Sequence, residues 1–357
     1  MPQFIAQRLI HAAHTESKQK LQPYMPLVAY KNLPTFERLK QEGRTILPAE
    51  RAKNQDIREL HIGLLNMMPD AALEATERQF FRLIGESNQI AQLYIHPFTL
   101  PQLDRSTETI DYIEQYYETF ETLKEDGLDA LIITGANVSQ PDLELEPFWE
   151  PLQEVLDWAW SNVTSTLCSC LATHAVMQAR YNQKRQPLAD GKLWGVYRHR
   201  VKDRNHPLVR NMNTVFDVPH SRYNDISEKQ FEKAGMKTLV AGRLSGTHIA
   251  ISPDGFRLVC MQGHPEYDTI SLQKEYQREI NRHATGERKS FPPIPVNYFP
   301  ENSPTVQEEL LENTWMDSGR SILASWIGLV YQTTNADRKH QFMEGIDPND
   351  PLNLNEN

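Results

Sequence analysis

Apolar residues in this 357-residue chain gather in short runs separated by amphipathic stretches. "ELHIGLLNMMP" is rich in Leu and Ile and ends at Pro69, the pattern of a strand buried on both faces. "AALEATERQFFRLIG" follows with apolar positions at helical spacing and Gly85 as a stop signal. "IAQLYIHPF" predicts a second strand, "TIDYIEQYYETFETLKED" a single helix and "LDALIITGAN" a third strand. "PFWEPLQEVLDWAWSNV" predicts another helix, and "TSTLCSC" a fourth strand. Four strands alternating with helices over about 110 residues predict a parallel α/β sheet with helices on both faces. Such folds bind ligands at the carboxyl ends of their strands, so chemistry is expected at "NMMP", "TGAN" and "CSCLATH".

After residue 182 the pattern shifts to strand-like pieces broken by Pro, Gly, Asn and Asp, such as "KLWGVYRHRVK", "TVFDVPHSRYND" and "RLVCMQGHPEYD". These predict antiparallel additions to the sheet and loops over its carboxyl edge. A helix, "TISLQKEYQREINRHA", and a Pro-rich stretch lead to a last helical segment, "VQEELLENTWMDSGRSILASWIGLVYQTT". The organisation expected is an N-terminal extension over 1–57 that packs on the body in part, a main domain over 58–335, and a C-terminal tail over 336–357 whose end, "EGIDPNDPLNLNEN", is expected to fray.

Charge and cysteine content narrow the classes. A net charge of -10 opposes broad binding to nucleic acid or anionic lipid, while leaving room for a local basic pocket. The N-terminus lacks a signal-like apolar region, and no run approaches the roughly 18 apolar residues of a bilayer span, so no membrane association and a cytoplasmic location are expected. Three cysteines, Cys168, Cys170 and Cys260, fit a reducing compartment better than a disulfide framework.

One residue separates Cys168 from Cys170, which strains a disulfide, and the histidines show no spacing that would complete a zinc site with them. Small buried packing residues are the ordinary alternative. Position distinguishes the two. Cys170 falls where strand becomes helix, beside the helix N-terminal dipole, which favours a thiolate and leaves amides free for an oxyanion. Cys168 sits one pleat earlier and is expected to pack. A thiolate nucleophile needs an oriented base, and "LVCMQGHPEYD" supplies His264 with Glu266 two residues on.

With these residues in place, the chain resembles the homoserine O-acyltransferases of the amidotransferase-like type, over about residues 58–335. "IGLLNMMPDAALEATERQFFRLIG", "LIITGAN", "TSTLCSCLATHAVMQARY", "KLWGVYRH", "VPHSRY", "GHPEYDTISLQKEYQRE" and "NTWMDSGRSILASWIGLVYQ" follow the family in order. The resemblance implies a flavodoxin-like, class I glutamine amidotransferase-like sheet, no bound cofactor or metal, and a homodimer. It implies methionine biosynthesis: Cys170 takes an acyl group from succinyl-CoA or acetyl-CoA and passes it to homoserine, with His264 as base and acid oriented by Glu266. Amides at Leu171 and Ala71 would hold the oxyanion, and Lys192, Ser221 and Arg278 would bind the amino acid. Arg278 suits an α-carboxylate, which its planar fork grips bidentately.

The chain departs from the family pattern in places. Asp70 and Ala71 stand where a Lys-Lys pair is usual, Leu171 where a Trp is usual, and His174 where a Gln is usual. The acyl-specificity position corresponds to Ser139, whose small side chain puts succinyl ahead of acetyl. Serine remains open as acceptor, since one methylene discriminates only modestly. A glutamine amidotransferase and a non-catalytic metabolite-binding module are the competing classes.

Overall fold

In a computed structural model the protein is described over residues 25–88 and 90–355. The chain opens with β1 (Met25–Ala29), α1 (Pro34–Gln41), β2 (Ile46–Pro48) and α2 (Ala49–Ala52). Then come β3 (Glu59–Leu65), α3 (Asp70–Ser87), β4 (Gln92–Phe98), α4 (Thr107–Tyr116), α5 (Phe120–Asp126) and β5 (Ala130–Ile133). Helix α6 (Trp149–Asn162), β6 (Ser165–Ser169), α7 (Leu171–Tyr181), β7 (Gln186–Pro187), β8 (Leu193–Val201) and β9 (Val215–Arg222) follow. The remainder is β10 (Asn224–Asp225), α8 (Glu228–Lys233), β11 (Lys237–Gly242), β12 (Gly246–Ile251), β13 (Leu258–Met261), α9 (Ser271–Ala284) and α10 (Met316–Thr333).

Eleven strands form one sheet in the order β2-β1-β4-β3-β5-β6-β13-β12-β11-β8-β9. From β2 to β13 the pairings are parallel, and from β13 to β9 they are antiparallel. Both faces of the parallel half are covered, which is why its strands read as nearly unbroken apolar runs. Leu60, Ile62 and Leu64 pack with Phe80 and Phe81 of α3 and Trp326 of α10. Leu131 and Ile133 face the other way, with Leu152 and Val155 of α6 and Val176 of α7.

Four local expectations change. The segment read as an extension contributes β1 and β2 to the sheet edge, while residues 1–24 lie outside the described residues. The expected single helix is two, because Glu118 breaks it. The Glu118 amide donates to the Pro97 carbonyl at 2.9 Å, and Thr119 caps α5 by accepting from the Thr122 amide. The last helix begins ten residues later than its sequence pattern starts, at Met316, where Asn313 Oδ1 accepts from the amides of Trp315 and Met316. The tail is fastened: ahead of the segment expected to fray, the Gln341 side chain donates to the carbonyls of Trp160 and Val163. Leu352 packs against the main core.

Candidate active site

Strand β6 ends at Ser169, and Cys170 turns the chain into α7 with φ 52° and ψ −110°, a left-handed conformation that favours glycine. The turn is held from several sides. The Cys170 amide donates to the Met261 carbonyl at 2.7 Å, and the Thr173 hydroxyl donates to the Cys168 carbonyl at 2.8 Å. Cys170 is only partly buried, whereas Cys168 is fully buried in register with Cys260 on β13. Burial pushes the Cys168 and Cys260 thiols up, Cys260 to about 12, and keeps both protonated. The first amide of α7 belongs to Leu171 and has no partner within its helix.

The loops at the other strand ends converge here. A Cβ placed on Gly135, just after β5, would lie 3.6 Å from Met68 Sδ and 3.7 Å from the Cys170 Cβ. Met68 therefore faces the nucleophile turn, with Ala71 in the opening turn of α3 two residues beyond Pro69. Asp70 faces away. Its carboxylate pairs with the buried Arg105 at 3.3 Å and accepts from the Ser106 amide at 2.8 Å, and Arg105 also donates to the Met68 carbonyl. The loop that lacks the usual lysine pair is thus braced by a guanidinium from another segment.

His264 emerges from the end of β13. Its amide donates to the Pro219 carbonyl at 2.8 Å, its Nδ1 donates to Glu266 Oε1 at 2.8 Å, and Tyr267 stacks on its ring at 4.4 Å. With Nδ1 engaged, Nε2 is left for Cys170. Burial opposes charge on this ring, but the neighbouring Cys170 and Glu266 side chains outweigh it and hold the His264 pKa well above the ordinary imidazole range. The imidazolium is the state this arrangement favours for His264. The three residues singled out in the sequence for nucleophile, base and orienter therefore stand together.

A second set of histidines sits behind His264 and stays neutral. Arg222 Nη1 donates to His220 Nδ1 at 2.9 Å, which places the His220 proton on Nε2, facing His199 Nε2 at 3.1 Å. His199 must then carry its own proton on Nδ1, which donates to the Tyr197 carbonyl at 2.8 Å. His248 Nδ1 accepts from the Gly263 amide at 3.2 Å. Burial lowers the pKa of His199 to about 4 and those of His220 and His248 well below the ordinary value. His174 is not the base for Cys170. It is fully buried, held to Gln262 Oε1 at 3.1 Å, with its pKa lowered by burial to about 3. Among the described residues no group of three or more His, Cys, Asp or Glu is placed to hold a metal ion.

Lys192 and Ser221 meet at a residue that sequence reasoning missed. Glu275 Oε2 accepts from Ser221 Oγ at 2.6 Å and Trp194 Nε1 at 3.0 Å and pairs with Lys192 at 3.3 Å, while Oε1 accepts from the Tyr267 hydroxyl at 2.7 Å. Burial works against the Glu275 charge, but Lys192, Ser221 and Tyr267 together lower its pKa and keep it ionised. Arg278 lies one turn further along α9, exposed and without an ion-pair partner among the described residues. The signal available was the i, i+3 spacing of Glu275 and Arg278 on one helix face. Ser139 is fixed by Glu146, whose Oε1 accepts from the amides of Ser139 and Gln140 at 2.6 Å each.

Comparison with known proteins covers most of the chain. The homoserine O-succinyltransferase family model matches residues 26–336. A homoserine O-succinyltransferase of Thioalkalivibrio nitratireducens is 59% identical over 354 residues, covering 92% of this chain and 99% of that protein. Another of that name, from Thiobacillus denitrificans, is 56% identical over 350 residues, covering 92% of this chain and 100% of its own length. Among solved structures, a glutamine amidotransferase from Thermotoga maritima aligns with a TM-score of 0.46 at 11% identity, over 77% of this chain and 99% of that one.

Proposed function

This chain belongs to the homoserine O-succinyltransferase family, and from that premise we propose that it succinylates homoserine through an acyl-cysteine at Cys170. In the first half-reaction the Cys170 thiolate attacks the thioester carbonyl of succinyl-CoA. The amides of Leu171 and Ala71 receive the oxyanion, and His264 gives its Nε2 proton to the departing CoA sulfur. In the second, His264 takes the proton of the homoserine hydroxyl as that oxygen attacks the acyl-cysteine. Collapse releases O-succinylhomoserine and regenerates the thiolate–imidazolium pair, a step of methionine biosynthesis.

The homoserine ammonium would join the Glu275 carboxylate, already oriented by Ser221, Trp194 and Tyr267, and its carboxylate would lie between Lys192 and Arg278. The relatives' names favour succinyl over acetyl and homoserine over serine. The observation that carries the proposal is the strained Cys170 turn beside an imidazole that Glu266 holds by Nδ1. Intact-mass measurement after incubation with succinyl-CoA should show one added succinyl group, lost when homoserine is supplied. No adduct on the wild type, or an equal adduct on Cys170→Ala, would overturn the mechanism.

A further inference from the structure

A CoA thioester brings several phosphates to a protein of formal net charge -10, so a productive encounter calls for a local positive surface. One cavity of about 520 Å³ fails this requirement, because Arg198 shares its wall with Asp217, Glu301 and Glu312. Another, of about 590 Å³, meets it: Arg38, Arg78, Arg82 and Lys274 line it against only Glu42 and Asp268. Glu42 pairs with Arg78, Asp268 with Arg78 and Arg82, and Arg38 with Glu74 outside the lining, so four cations at this cavity face three carboxylates. Lys274 is exposed and has no ion-pair partner among the described residues.

Two further features bear on the charge at this cavity. The Arg82 side chain is 8% exposed, and its Nε has no hydrogen-bond partner among the described residues. Thr269 and Ile270, where the 14-residue helix α9 begins, line the same cavity. The first turn of α9 has no acidic residue, and although the Tyr298 hydroxyl accepts from the Gln273 amide at 3.3 Å, the positive end of its dipole lies at the cavity wall. The cavity backs directly on the loop carrying the base, since Arg82 Nη2 donates to the Glu266 carbonyl at 3.1 Å.

We propose that this cavity seats the phosphate groups of the acyl-CoA donor, from which the pantetheine arm runs to Cys170. The assignment rests on acyl-CoA use as proposed above. The test compares two donors with the same reacting carbonyl: succinyl-CoA and the succinyl thioester of N-acetylcysteamine, which carries no phosphate. The Arg38→Ala/Lys274→Ala double variant should lower the ratio of kcat/KM for the first donor over the second by about tenfold, chiefly through KM.

Adenosine 3′,5′-bisphosphate should compete with succinyl-CoA on the wild type and do so more weakly on the double variant. Because Arg38 also pairs with Glu74, the charge reversal Lys274→Glu, at an exposed position, provides a second probe that should move the ratio the same way. Equal losses for both donors, or an unchanged ratio, would overturn the phosphate site. A wild type that turns over neither thioester would instead overturn acyl-CoA use itself.

Discussion

Two carboxylates nine residues apart in the chain, Glu266 buried and Glu275 part-buried, are treated in opposite ways. Glu266 holds His264 through one oxygen and leaves Oε2 without a hydrogen-bond partner among the described residues. Glu275 is surrounded by donors at both oxygens: Ser221, Trp194, Lys192 and Tyr267. The lesson concerns how much solvation each role tolerates. A carboxylate that must support a charged imidazole works best undersolvated, so that its charge is felt by the ring. One that must stay ionised and fixed for an arriving ammonium is better served by preorganised donors.

The sharpest break in that comparison is Cys170→Ala, which removes the proposed nucleophile. Succinyl transfer should fall by about 10⁴-fold or more, read as O-succinylhomoserine formation. Glu266→Gln should follow, with kcat lower by about 10³-fold. Glu266 raises the His264 pKa, so its loss lowers that pKa and weakens the thiolate's partner. Alkylation of Cys170 by iodoacetamide should then slow at neutral pH and shift its midpoint upward. An unchanged alkylation profile would remove Glu266 from the charge relay.

Glu275→Gln should act elsewhere, raising KM for homoserine by about tenfold to a hundredfold, with the loss in the second half-reaction. Stopped-flow measurement of acyl-enzyme formation and decay separates the two, and a deficit confined to formation would contradict the assignment. The smallest effect concerns the neutral histidines. Their folded pKa values lie below the unfolded value of about 6.5, so the unfolded chain takes up protons first as pH falls. Stability should decline from about pH 6.5 downward, by up to roughly 1.4 kcal/mol per pH unit for each such ring. Chemical denaturation at pH 7 and pH 5 measures the slope, which should be shallower in His248→Phe.

The same contrast explains what could be read from the chain. The parallel strands were legible because burial on both faces leaves unbroken apolar runs such as "ALII". Cys170 was legible because strand and helix meet there in sequence, and His264 with Glu266 because they are two residues apart. Glu275 was not, since its partners come from β8, β9 and the loop before α9, and nothing local marks their meeting. Arg105 stayed hidden for the same reason, its support of the Met68–Asp70 loop spanning more than thirty residues. Strands β1 and β2, of five and three residues, are too short for any period to register, and only pairing with β4 defines the edge.

The backbone angle at Cys170 has a consequence for how this protein tolerates change. A side chain at φ 52° is disfavoured by about 1 to 3 kcal/mol, and glycine escapes most of that penalty. Cys170→Gly is therefore expected to unfold at a higher temperature than the native chain while losing the sulfur of the proposed nucleophile. Selection for robustness alone would drift toward glycine at this turn. On the proposed mechanism, a cysteine there holds the molecule below its attainable stability for the sake of its nucleophile.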